Sequence, residues 1–320
     1  MGKKKKYSAS GIEIRQKPLG LRIWNNRGYY IMFLPVLIFI LIMNYWPMLG
    51  VRFAFYDYKP VGQPTFVGLK HFEAMFAKEA FWTAFWNTLE LSIMKLLLST
   101  AASVIVSIFL NEMGNLFAKK TLQTIIYLPH FMSWAVVASI FTLFLSPSAT
   151  GMVNGLLKEW NIIDPNGQGI FFLADKAMWR PIYYVINLWK DTGWGTIIFL
   201  ATLSGINPEL YEAGDIDGAT RFQKMWYITL PALANTIITV LILNLAKVMN
   251  LFESVFVLYN NAVFEVADVC ATYIYRQTFA IALPNYGYST AVGLFRSLVG
   301  CLLVIVCNWA SKKTRGRGIV

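Results

Sequence analysis

The chain has 320 residues, 57% hydrophobic and only 14% charged, with net charge +11 and mean hydropathy +0.51. Soluble domains carry about 25% charged residues, so the composition excludes an ordinary soluble domain and indicates membrane-spanning helices. The positive excess could suit nucleic acid, but nothing beside it supports a base-reading fold, so no nucleic-acid partner is expected and a lipid bilayer is.

Residues 1–28 form a basic arm with Lys3, Lys4, Lys5, Lys6, Arg15, Lys17, Arg22 and Arg27. It does not read as a cleavable signal peptide, because the apolar core starts near residue 31 and no small-x-small site follows. Six apolar stretches then read as spans, near 29–49, 87–110, 121–145, 181–203, 232–254 and 287–310. The third is uncharged and reads as one continuous span, although it contains Pro129 and His130. The fourth is the weakest by hydropathy, interrupted by "WKDTGWG". The alternative is a re-entrant or buried segment. Gly193 and Gly195 are compatible with a span where neighbours cover the backbone. Lys190 and Asp191 can pair with each other or line a cavity. The fifth carries Lys247 and Glu253, the sixth Arg296. The fold class expected is therefore an all-α polytopic membrane protein with six transmembrane helices spanning 29–310, ending in a tail at 311–320.

Lys and Arg concentrate in the loops of one side: the basic arm, Lys119 and Lys120, and Lys312, Lys313, Arg315 and Arg317 in the tail. The other side has longer loops with fewer basic residues. The positive-inside rule then puts both termini in the cytoplasm. The long connection 146–178 lies on the outer side and is a candidate docking surface for an extracytoplasmic partner. Cys270, Cys301 and Cys307 are too few and badly spaced for a metal site, so no metal is expected. The two histidines, His71 and His130, have no Cys or carboxylate near them in sequence, so no catalytic residue is assigned.

The stretch 204–231 should then be a cytoplasmic loop. Its segment "YEAGDIDGATRFQKMWYITLP", 211–231, holds the densest acidic cluster of a basic chain. Asn207 and Pro208 read as helix cap and first position, and Glu209 and Glu212 fall in the first turn, where carboxylates favour the dipole. Gly218 reads as the break before a second helix leading to Pro231. Helices that lie on a membrane favour Lys and Arg on the polar face; this one is acidic up to Asp217, which favours docking to a protein.

Glu212-Ala213-Gly214, three residues, Gly218, nine residues and Ile228-Thr229-Leu230-Pro231 resemble the "EAA" signature of permease subunits of binding-protein-dependent ABC importers. The signature reads Glu-Ala-Ala, three residues, Gly, nine residues, Ile-x-Leu-Pro; Gly214 in place of the second Ala is the one departure. The stretches 66–76, 85–92, 267–277 and 289–300 look like the carbohydrate-uptake branch, in particular Gram-positive polysaccharide and complex-oligosaccharide permeases. The resemblance implies a maltose-permease-like fold in a bacterial cell membrane. It implies a coupling helix that docks on a cytoplasmic ATPase, with Glu212, Ala213, Gly214, Asp217, Gly218 and Ala219 at the docking surface and Leu230 and Pro231 leading into the fifth span.

Partners implied are a second homologous permease, two ABC ATPase subunits and an extracytoplasmic sugar-binding lipoprotein. No phosphate-loop motif G-x-x-x-x-G-K-[ST] occurs, so the chain should carry no cofactor of its own, with ATP and Mg on the ATPase. A sugar pathway wants aromatic faces and amide or charged groups, for which span four offers Tyr183, Tyr184, Asn187, Trp189, Lys190 and Trp194. Span five offers Asn244, Lys247, Asn250 and Glu253. Interhelical polar packing is the alternative role for each. Lys95, Lys190 and Lys247 would suit an anionic sugar. An importer for another solute, such as an amino acid, peptide or ion, shares the loop but not the flanking stretches.

Overall fold

The computed structural model describes residues 18–58, 63–148, 151–281 and 284–315. Most of the basic arm and the tail beyond 315 lie outside the described residues. The chain divides into two compact units, Met1–Arg52 and Phe53–Val320.

In the first unit, α1 (Leu19–Asn25) precedes the helical run α2 (Arg27–Phe55), whose end crosses the unit boundary. α2 has mean hydropathy 2.0 and none of its most apolar window is buried. A helix apolar on all sides requires lipid or protein around it.

The second unit starts with a small antiparallel hairpin, β1 (Tyr56–Asp57) and β2 (Thr65–Phe66), with Tyr56 opposite Phe66. α3 (Lys70–Phe76) leads into α4 (Glu79–Glu112). At 34 residues, α4 is about 51 Å long, well beyond the ~30 Å of a hydrocarbon core. α5 (Leu116–Phe131) and α6 (Trp134–Phe144) follow, then the short α7 (Met152–Glu159) and the 28-residue α8 (Lys176–Leu203). α9 (Glu209–Ile216) and α10 (Arg221–Leu245) come next, then the short α11 (Glu253–Phe256) and α12 (Phe264–Ala267). α13 (Cys270–Phe279) and α14 (Tyr286–Arg315) end the described chain.

Among the described residues, four helices are long and apolar enough to cross a membrane, α2, α4, α10 and α14, or five if α5 and α6 together form one broken span. Three expectations need correction. The third span is not continuous: α5 and α6 meet at 102°. Pro129 sits in a final tight turn, Met132 and Ser133 are extended, and the Ser133 hydroxyl then caps α6 by accepting from Val136 N. The extended pair ends the i→i−4 ladder and Ser133 starts a new one. The fifth helix stops at Leu245, so Lys247, Asn250 and Glu253 lie beyond it. Of the two alternatives for Lys190 and Asp191, pairing with each other is the one that fails: each reaches a different neighbour, and Asp191 lines a cavity.

The fourth stretch, weakest by hydropathy, is one unbroken helix that packs extensively on α4. Arg180 pairs with Glu90, Ser103 Oγ donates to Thr192 O, and Phe199 and Leu203 pack with Val104 and Ile108. Partners advance along both helices together, so α4 and α8 run parallel. The chain therefore returns, through 113–175, to the end where α4 began. α10 runs the opposite way: Leu233 joins the Phe199–Leu203 cluster, while Met249, beyond its end, packs with Phe81 and Phe85 near the start of α4.

Close approach explains the glycines in α8. A Cβ on Gly193 would lie 2.1 Å from the Ile126 carbonyl oxygen, and one on Gly195 would lie 2.3 Å from Ser103 Oγ. The first neighbour is backbone and cannot rotate away. Gly193→Ala is expected to push α5 off α8 at a cost of about 1–3 kcal/mol. Gly205→Ala, where the nearest atom is 3.5 Å away, is the neutral control. Thermal denaturation of the solubilised protein checks the pair.

Between α10 and α14, Asp268 and Cys270 sit in a tight polar junction. Arg276 pairs with Asp268, Thr272 Oγ1 donates to Asp268 Oδ1, and Cys270 N donates to Thr88 Oγ1. Burial raises the Asp268 carboxyl against the opposing pull of Thr272 and Arg276. Burial also pushes the Cys270 thiol up to about 11, so it is an inert packing group at neutral pH.

Candidate functional site

Two features stand out: the 204–231 loop and a cavity among α4, α8 and the end of α10. In the loop, Asn207 Oδ1 accepts from Glu209 N, and the Leu210 amide donates to Asn207 O. Asn207 is thus the side-chain cap, and Pro208 already has helical angles. Glu209 and Glu212 occupy the first turn of α9, as expected.

The other end of α9 closes on Gly218. Its φ is +73°, Gly218 N donates to Asp215 O at 3.1 Å, and Ala219 N donates to Gly214 O at 2.8 Å. This pair of bonds is a Schellman stop, which needs a left-handed residue where Gly218 stands. Thr220 then caps α10 reciprocally with Gln223. Lys224 pairs with Asp215 at 2.6 Å, and Tyr211 OH lies 3.0 Å from Thr229 Oγ1, which braces α9 against the start of α10. A Cβ on Gly214 would lie 3.4 Å from Ile228 Cδ1 and from the Lys224 stem, ordinary contact. The departure from Ala thus meets no spatial need.

The outer surface of α9 stays free. Glu212, Ala213, Asp217 and Gly218 are exposed, Gly214 and Ala219 half-buried. Ile216 is 87% exposed and Leu210 52%. Ile216 thus stands in the open between Asp215 and Asp217. Leu230 and Pro231 begin the apolar part of α10, where Leu230 packs beside Val104, Ile108 and Phe199.

The cavity has a volume of about 430 Å³. α4 contributes Ser92, Lys95, Ser99, Thr100 and Ser103, at helical spacing on one side. α8 contributes Asp191, Trp194, Gly195 and Phe199, and the α5–α6 break contributes His130. Asn244, Lys247 and Asn250 complete the wall. The early stop of α10 is what aligns these three. Lys247 N donates to Asn244 O and Asn250 N donates to Lys247 O, both i→i−3. Three-residue turns eclipse positions i and i+3, which brings Asn244, Lys247 and Asn250 to one side. In an α-helix they would fan out.

Asp191 is the charge centre of the cavity. Lys95 Nζ lies 3.4 Å from Asp191 Oδ2, and His130 Nδ1 lies 3.2 Å from Asp191 Oδ1. The Trp194 indole stacks on His130 at 4.7 Å and 9°. Lys190, buried, donates instead to the His130 carbonyl at 2.8 Å, occupying an acceptor at the helix break.

The structure divides the ten residues named for a sugar pathway. Asn244, Lys247, Asn250 and Trp194 line the cavity. Tyr183, Tyr184, Asn187, Trp189, Lys190 and Glu253 do not. Tyr183 is buried against Trp179 and bonds Ser254, Asn187 donates to Tyr183 O, and Trp189 meets Phe141 edge-on. Tyr184 meets Tyr183 edge-on, and Glu253 is exposed on α11. The serine stripe of α4 and a cavity role for His130 escaped the sequence reading, whereas Asp191 lines a cavity as one of its two alternatives had it. The recurrence of Ser92, Lys95, Ser99 and Ser103 in an otherwise apolar span was the available signal.

Of the connection 146–178, the described part from 151 on is folded. Asn154, buried, donates to Ser146 O and Ile170 O and accepts from Ile170 N, while Trp160 and Ile162 stay exposed.

Residues 103–316 match the family model described as "Binding-protein-dependent transport system inner membrane component". Protein LplB of Bacillus subtilis (strain 168) is 41% identical over 298 residues, 92% of this chain and 91% of that protein. The polygalacturonan/rhamnogalacturonan transport system permease protein YteP of the same organism is 38% identical over 309 residues, 95% and 94% respectively. Among solved structures, a chain of a bacterial ABC transporter involved in the import of the acidic polysaccharide alginate superposes with TM-score 0.84 and 36% identity. It covers 93% of this chain and 100% of that one. A chain of a bacterial alginate ABC transporter, in complex with alginate pentasaccharide-bound periplasmic protein, gives TM-score 0.85 and 37%, covering 95% and 100%.

Proposed function

The chain belongs to the binding-protein-dependent transport system inner membrane components, and from that premise we propose that it is the permease subunit of an ABC importer for oligosaccharides or polysaccharide fragments. It is a transporter subunit and not an enzyme. ATP and Mg are bound and hydrolysed on partner ATPase chains. The observation that carries the reading is α9, capped at both ends and braced on α10, with Ile216, Leu210 and Glu212 facing outward. A rigid small helix can transmit a push; a loose loop cannot.

In this reading Glu212, Ala213, Gly214, Asp217, Gly218 and Ala219 form the contact with the ATPase, and Leu230 and Pro231 pass its movement to α10. α10 starts at the α9 brace and ends at Asn244, so displacement of the loop moves the cavity wall. The pathway runs through that wall, past Asn244, Lys247 and Asn250. Six spans are counted, with α5–α6 as one broken span and α8 as another. The parallel course of α4 and α8 supports a crossing between them. The end that carries α9 also carries Lys119 and Lys120, which supports a cytoplasmic location for it and for both termini. The connection 146–178, with Trp160 and Ile162, faces the sugar-binding lipoprotein. A second, homologous permease completes the pathway.

Reconstitution with the ATPase, second permease and binding protein tests the reading. Glu212→Lys puts like charge against a basic ATPase groove, and is expected to lose ATPase co-purification and lower oligosaccharide uptake at least ~10-fold. Full retention of both would remove the coupling role.

A further inference from the structure

The wall of the cavity holds one more positive charge than it neutralises. Its charged lining groups are Lys95, Lys247 and Asp191, with His130 beside them. Asp191 is taken by Lys95 and His130. Among the described residues, Lys247 Nζ makes no hydrogen bond or ion pair, and it is exposed to the cavity. An unpaired ammonium lining a cavity of a membrane protein draws an anion to it. The lining also holds Ser92 and Ser99, whose Oγ atoms are both buried and without a partner among the described residues. Ser92 is only 6% exposed. Buried hydroxyls left without bonds are rare in a finished core. Here both residues line the cavity, and a turn about χ1 would bring either hydroxyl to a ligand. The side-chain amides of Asn244 and Asn250 and the exposed Trp194 complete a wall of hydroxyl, amide and aromatic groups around Lys247, the one unpaired cation among the described lining residues.

We propose that this cavity carries an acidic saccharide, with a ring carboxylate on Lys247 Nζ and ring hydroxyls on Ser92, Ser99, Asn244 and Asn250. Asp191 holds Lys95, so Lys95 does not compete for the carboxylate. A zwitterionic amino acid or peptide fits less well, since its ammonium would need a carboxylate and Asp191 is already engaged. A neutral sugar would leave Lys247 without a counter-charge. The volume, about 430 Å³, lies in the ~300–1,000 Å³ range of small-molecule sites. The inference rests on the importer reading and adds the charge of the substrate to it.

The test separates the two. Uptake in proteoliposomes with all partners reports on import. Binding to the permease–ATPase complex without the binding protein reports on the cavity, free of the selectivity of delivery. Probes are labelled trigalacturonate and an alginate trisaccharide, each beside its counterpart with carboxyls reduced to hydroxymethyl groups. The wild type should bind the uronates at least tenfold better than the reduced sugars. Lys247→Gln should weaken uronate binding ~10–100-fold, the worth of a charge-assisted bond, and weaken the reduced sugars several-fold less. Lys247→Arg should restore uronate binding, and raised salt should weaken it. Equal binding of both forms by the wild type, or an equal loss of both in Lys247→Gln, would overturn the acidic-saccharide assignment while uptake kept the importer reading. Absence of uptake of every saccharide would overturn both.

Discussion

Gly218→Val is expected to uncouple the transporter while leaving the membrane fold intact. The cause is conformational, because no atom lies within 4 Å of where a Cβ would sit. Gly218 has φ +73°, a region that costs a side-chain-bearing residue roughly 1–2 kcal/mol and a β-branched one more. Valine would leave that region and break the bonds from Gly218 N to Asp215 O and from Ala219 N to Gly214 O. α9 would then lose its fixed angle to α10, and with it Ile216 and Glu212 would leave the positions in which they meet the ATPase. ATPase co-purification should fall at least tenfold and uptake with it. Gly218→Asn supplies the control, because Asn tolerates the left-handed region and caps helices in the same way; it should retain most of both activities. The outcome that would sink the coupling role is a valine variant as active as the asparagine one.

Removing the carboxylate of Asp191 should be the most damaging single change in the cavity. Asp191→Ala leaves the Lys95 ammonium without its partner and removes the group beside His130. Breaking a fully buried pair costs about 3–5 kcal/mol. The side chains here are about a quarter exposed, 25% for Lys95 and 27% for Asp191, so a smaller cost of about 2–3 kcal/mol is expected. Removing both charges should cost less than removing one. Lys95→Met with Asp191→Leu replaces the pair by apolar groups of similar size, and buried pairs so replaced are often neutral. A double-mutant cycle on the thermal midpoint of the solubilised protein reads the coupling. Single variants should fall below the wild type and the double variant should lie between. A double variant worse than the sum of the singles would show that Asp191 acts through neighbours other than Lys95.

The two predictions fall on features of different legibility. The 204–231 loop could be read in advance because its structure is local. Asn207, Pro208 and Gly218 each act on backbone within a few residues, and such caps and stops are written in residue type and spacing. The class of the protein was equally plain, since long apolar runs and a one-sided Lys and Arg bias depend on composition alone. The similarity of the 211–231 stretch to importer permeases placed the family before any fold was known.

Packing decided the rest. Hydropathy ranked the third stretch above the fourth, yet the third is bent by 102° and the fourth is unbroken. The polar residues that weaken the fourth are satisfied by other helices: Asp191 by Lys95 and His130, Lys190 by a carbonyl freed at the bend. Gly193 and Gly195 are there because α5 and α4 come within contact of the α8 backbone. Likewise the end of α10 at Leu245 cannot be read from an apolar run that continues past it, and only that end aligns Asn244, Lys247 and Asn250. The sequence by itself determined which segments are apolar, where the chain caps and turns, and which family it resembles, because those properties are carried by neighbouring residues. Tertiary structure alone decided which polar groups face the cavity and which face a partner helix, because that depends on residues about 60 to 100 positions apart meeting across a helix pair, as Lys95, His130 and Asp191 do.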